Sequence, residues 1–139
     1  MANALFDIYK EAMLGGGNHG GTLIDLDGDT IKVKLVDTGQ DDPDVAADED
    51  IADLTPDPTV GTDQTLGTIT LTNGTFDAAD ATFTSVSGNS VEELLIYKDT
   101  GAGATSVLLV SFDTATGLPV TPNGGDIVIQ WNGSGIFSL

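Results

Sequence analysis

The chain has 139 residues, 40% of them apolar, no cysteine, and 22 acids against four lysines and no arginine, for a net charge of −18. That length suits one domain with its own core, and without cysteine neither disulfides nor thiolate metal sites can support it. The missing cationic clusters exclude nucleic acid and anionic membrane surfaces as partners, and no apolar run approaches the roughly 20 residues that span a bilayer.

Residues 3–14 read as one amphipathic helix. Leu5, Ile8, Tyr9, Ala12 and Met13 fall at i, i+3, i+4, i+7 and i+8, with Asp7, Lys10 and Glu11 on the other side. Asn3 is a plausible N-cap and Gly15 begins the stop. Residues 15–21, G-G-G-N-H-G-G, read as a flexible tether. A helix of three turns is marginal alone in water, so it must dock on its own sheet or on a partner. The tether favours counting Leu5, Ile8, Tyr9, Ala12 and Met13 as candidate partner-binding residues. The sequence thus divides into an arm, 1–21, and a single β domain, 22–139.

Residues 30–36 alternate, with Ile31, Val33 and Leu35 facing one way and Lys32 and Lys34 the other, as in a half-buried strand. Asp27-Gly28 is a type I′ signal that pairs residues 22–26 back onto this strand. Residues 37–63 carry ten acids, no base and three prolines. They read as a long surface excursion with one helical turn near 48–54, expected to cover a subunit boundary or reach a neighbour.

From Gln64 onward apolar runs at 65–72, 81–86, 91–98, 106–113, 126–131 and 135–138 are separated by signals such as Asn73-Gly74 and Gly88-Asn89. With 22–26 and 30–36 this makes about eight strands. The expected fold is mainly β, an antiparallel two-sheet sandwich or jelly-roll-like domain with a short N-terminal helix. Its expected core is Ile31, Val33, Leu35, Ile69, Leu71, Phe83, Leu94, Ile96, Leu108, Val110, Phe112, Ile127, Ile129 and Trp131.

No motif carries chemistry. Asp25, Asp27 and Asp29 alternate as in a calcium loop, but the positions that need glycine and a bidentate acid hold Thr30 and Val36. A hairpin turn is the better reading. His19 sits in the glycine tether, without the fixed geometry that a general base requires. The glycines of 15–21 lack the Gly-Lys-Ser/Thr ending of a phosphate loop. Glu92 and Glu93 adjoin on a strand and face opposite sides, so they cannot act as a carboxylate pair. Asn73 and Asn132 match a glycosylation pattern but read as turns. The N-terminus shows no basic or long apolar region of a secretory signal. No catalytic residue, metal ligand or cofactor is expected, and the chain reads as a non-enzyme.

The opening M-A-N-A-L-F-D, the strand D-T-I-K-V-K-L-V-D, the block V-E-E-L-L-I-Y-K-D-T-G, and F-D-T-A-T-G-L-P-V-T-P-N-G-G-D-I-V-I-Q-W-N ending in I-F-S-L resemble small virion structural proteins of tailed bacteriophages. The likeness covers most of the chain but not residues 40–63. It implies a capsid decoration, or cement, protein on the head exterior, made in the host cytoplasm. The implied partners are the major capsid protein and further copies of this chain as a homotrimer or dimer. No residue role comes with the resemblance. A neck, tail or tail-tube component and a host- or carbohydrate-binding β module remain open alternatives.

Overall fold

The computed structural model describes residues 3–19 and 22–139. In chain order the elements are β1 (Ala4–Leu5), α1 (Asp7–Leu14), β2 (Asn18–His19), β3 (Thr22–Leu23), β4 (Ile31–Val36), a 3-10 turn at Ile51–Asp53, β5 (Thr59–Thr65), β6 (Thr70–Thr72), β7 (Thr75–Asp77), β8 (Ala81–Phe83), β9 (Glu93–Lys98), a second 3-10 turn at Gly103–Thr105, β10 (Leu108–Phe112), β11 (Ile127–Ile129) and β12 (Phe137–Ser138). A five-stranded sheet runs in the order β1-β10-β9-β4-β5, beside a three-stranded sheet β12-β7-β6 and the ribbons β11-β8 and β2-β3. Every named pairing is antiparallel. The protein is mainly β, sandwich-like, with one short helix.

The run Leu94, Leu95, Ile96, Tyr97 explains the place of β9. Four consecutive apolar residues give a strand two apolar faces, and such a strand belongs inside a sheet covered on both sides. Every residue of β9 is buried. On the inner face Ile31, Val33, Leu35, Leu94 and Ile96 pack with Phe76 and Phe83 from the smaller sheets. On the outer face Val36, Leu95, Tyr97 and Leu108 pack with Phe6 and Leu54, and with the half-buried Val45 and Ile51. A bulge in β10, where the register against β9 shifts between Leu108 and Val110, lets Leu109 and Val110 both enter the inner core. In β5 the register shifts in the same way opposite Val33 and Leu35. Gly61, at φ +73, lies in that stretch.

Several expectations are corrected. The helix begins at Asp7, because residues 4 and 5 gain ladder partners instead: Leu5 lies opposite Val110 in β1. Asn3 caps nothing. Its side-chain amide donates to the Thr114 carbonyl and its oxygen accepts from the Thr114 amide, both at 2.9 Å. Phe6, in the cap position, is a fully buried core residue.

The tether is more ordered than its composition suggests. Gly15 N–H closes the helix onto Glu11, Gly17 N–H donates to Ala12, and β2 pairs with β3; Gly20 and Gly21 lie outside the described residues. Thr22–Leu23 therefore pairs with β2 and not with β4. Asp27-Gly28 is not a type I′ turn, since Gly28 is not among the positive-φ residues, and the amides of Gly28 and Asp29 both donate to the Asp25 carbonyl.

The acidic stretch is not a free excursion. The amide of Asp7 donates to Val45, that of Leu108 to Glu49 and that of Ile51 to Ser106, all within 3.0 Å. These bonds strap it across the outer face. The expected helical turn is there as Ile51–Asp53, with Asp50 and Asp53 forming a capping box. Residues 59–63 belong to β5. The expected strand 65–72 is divided: Leu66 turns into the core, Thr68 takes φ +52, and Leu71 is 49% exposed and not core. Asn73-Gly74 makes the expected tight hairpin, with both residues at positive φ, but it joins β6 to an unforeseen β7. Ile69, Phe112, Ile127, Ile129 and Trp131 are half-buried against the inner core.

Candidate docking site

A cleft of about 670 Å³ lies between the end of β10, the loop after it and β11. Its apolar lining includes Phe112, Leu118, Val120, Ile127, Trp131 and Ile136, and its polar lining Asn3, Thr114, Gln130 and Asn132. Among the described residues no charged one lines it, although the chain carries 26.

The walls are pinned. Asn3 holds Thr114 on one side. Val91 and Val120 exchange backbone hydrogen bonds of 2.8 and 2.9 Å on the other. Trp131 is fixed from both ends: its amide donates to Asp80 Oδ1 at 3.0 Å and its indole N–H to the Ala79 carbonyl at 3.2 Å. Its ring lies 6.1 Å from that of Phe112. A rigid, uncharged cleft favours uncharged ligands, because a charge entering it is desolvated without a counter-ion.

The five helix residues singled out from the sequence are brought together, but against the protein's own core. Tyr9 and Ala12 are buried, Leu5, Ile8 and Met13 are half-buried, and the Tyr9 ring meets Phe137 edge-on at 6.3 Å. Burial pushes the Tyr9 phenol up to about 12. What the helix offers outward is Leu14, which is 91% exposed.

Polar groups beneath the acidic segment form two clusters. Lys34 pairs with Asp63 at 2.9 Å, Tyr97 donates its hydroxyl to the same carboxylate at 2.6 Å, and the ammonium sits 5.7 Å from the Tyr97 ring. Burial, then the bond to Asp63, raises the Tyr97 phenol far above its ordinary value. In the second cluster Glu93 is 1% exposed. Its Oε1 accepts the Ser111 hydroxyl, while its Oε2 is buried with no partner. Burial pushes its carboxyl up to about 7, against the lowering effect of Ser111 and with Asp42 and Asp113 raising it further. Glu92 takes separate partners, the Thr38 amide and the Ser90 hydroxyl.

The remaining sequence candidates resolve into structural roles. Asp29 of the D-L-D-G-D run pairs with Lys98 at 2.9 Å and accepts the Asp25 amide. His19 lies 3.5 Å from Glu49, so it does have an acid beside it, across from the acidic segment. A shallow depression of about 310 Å³ holds Asp37 and Asp57. Both already accept hydrogen bonds, Asp37 from Asn89 and Gly39 and Asp57 from Thr59, whose hydroxyl keeps the Asp57 carboxyl below its ordinary value. Among the described residues no group of three or more His, Cys, Asp or Glu is placed to hold a metal ion, and no helix is long and apolar enough to cross a membrane.

Sequence reasoning missed the cleft, although a signal exists: residues 114–139 contain one charged residue, Asp126. Compared with known proteins, the chain matches no family model and no curated protein.

Proposed function

We propose that this protein is a structural component of a tailed-phage virion, a decoration protein that docks on the outside of the head and stabilises it by bridging neighbouring subunits. In this reading it catalyses no reaction, binds the major capsid protein, and acts as a dimer or trimer of its own chain. The observation that carries the reading is the uncharged cleft on a molecule of net charge −18. The surrounding acids keep the protein soluble and resist non-specific association. One pinned groove is left where contact carries no charge penalty, which suits docking on a surface better than chemistry on a substrate. The β-rich fold without disulfides and the likeness to small virion proteins agree with it.

Binding to the native assembly alone stabilises that assembly by mass action. Each copy need contribute only a few kcal/mol after the costs of association. Purified protein mixed with undecorated heads should bind them and raise their melting temperature. Absence of binding, or binding without a rise, overturns the proposal.

A further inference from the structure

We infer that the cleft receives an extended, uncharged polypeptide segment, which adds to β11 as a third strand of the β8–β11 ribbon. The identification of the head subunit as donor of that segment rests on the function proposed above; the strand addition does not.

Consecutive residues carry the argument. Residues 127–132 all line the cleft. Successive side chains of a strand point to opposite faces, so a cleft that meets every residue of β11 in turn faces the edge of the strand and not one of its sides. Among the described residues that edge is open, since β11 is hydrogen-bonded there to β8 alone. Sheet edges are ordinarily blunted by charge, proline, bulges or extreme shortness. The edge strand β5 has a register shift and Asp63, and β1 has two residues. β11 is Ile-Val-Ile, with none of these devices beyond its modest length, and Val128 is 52% exposed.

An open edge of β-branched residues in an uncharged cleft is the receptor half of strand addition: backbone bonds supply affinity and alternate pockets supply selectivity. A neutral sugar fits less well. The indole N–H of Trp131, the donor a hydroxyl would use, is already given to Ala79.

The test uses the intact protein and the blocked peptide acetyl-Thr-Val-Thr-Val-Thr-amide at millimolar concentration, with amide exchange read by NMR. Exchange of those amides within residues 127–130 that face the open edge should slow by about tenfold or more as new backbone bonds form. The same peptide N-methylated at every residue, which blocks both of its edges, should have no effect. Val128→Glu, an exposed substitution whose folding is verified by an unchanged thermal melt, should abolish the response. Three results overturn the inference: no slowing in the wild type, equal binding of the N-methylated peptide, or binding of a neutral maltohexaose at these residues without the peptide. Head binding separates the two proposals. Wild type that binds the peptide but not heads removes the decoration role and leaves strand addition, whereas heads bound equally by wild type and Val128→Glu remove the cleft as their docking site.

Discussion

The two faces of the five-stranded sheet are built from different chemistry. The inner face is aliphatic and aromatic throughout, with Ile31, Val33 and Ile96 against Phe83. The outer face places Phe6, Leu95 and Leu108 alongside Lys34, Tyr97, Asp63, Ser111 and Glu93. Burial of apolar area is nearly indifferent to pH. Buried ionisable groups are not. The inner face should therefore set how stable the fold is, and the outer face the conditions under which the acidic segment stays seated.

The largest expected effect is on the inner face. Phe83→Ala should cost about 3–5 kcal/mol, much of a typical domain's stability. The loss, measured by urea unfolding, should be the same at pH 5 and pH 8. A strongly pH-dependent loss would show that the two faces are not independent.

Next comes Glu93. An unfolded glutamate titrates near 4.5 and the buried one near 7. Between those values the unfolded chain gives up its proton while the folded protein keeps it, so stability falls as pH rises through this window and levels off above it. The fall attributable to this residue is roughly 3 kcal/mol. Glu93→Gln should flatten that part of the curve, and an unchanged slope between pH 4.5 and 7 would remove the outer face as the pH-sensitive one.

Tyr97→Phe tests the Lys34–Asp63–Tyr97 cluster. Removing the hydroxyl that donates to Asp63 should cost about 2 kcal/mol, the value of a hydrogen bond to a charged group, and the loss should persist at pH 5 and pH 8 alike. His19→Ala sharpens the comparison from the other end. The contact with Glu49 is long and partly exposed, so the change in unfolding free energy should stay below about 0.5 kcal/mol. Head binding should be unchanged as well.

Much of the inner face was legible, because Ile31, Val33 and Leu35 alternate and Asn73-Gly74 dictates its own turn geometry. The outer face was not. Val45, Ile51 and Leu54 are three apolar residues scattered through an acidic run, and no local period shows that they share a cluster. Lys32 and Lys34 suggested a solvated side, yet both find acids distant in sequence, Asp99 just past β9 at 2.7 Å and Asp63 of β5 at 2.9 Å. Leu5 fits the helical stripe as well as the strand; its pairing with Val110 is non-local and decides the matter. The cleft was hidden because its signal is an absence of charge spread over a long stretch and not a motif.

The bulge at Leu109 acts as a frameshift written into the chain. An unbulged β10 would alternate strictly, sending Ser111 inward with Leu109 and turning Val110 and Phe112 outward with Leu108. The extra residue reverses the frame from Val110 onward. Ser111 therefore meets Glu93, and Phe112 reaches the cleft beside Trp131. One inserted position thus sets both the partner of the buried carboxyl and a wall of the docking groove. Straightening the bulge while keeping the count of residues would turn Ser111 and Phe112 away from both sites, whereas deleting Leu109, which leaves Leu108, Val110, Ser111 and Phe112 paired one to one with Tyr97, Ile96, Leu95 and Leu94, should spare both.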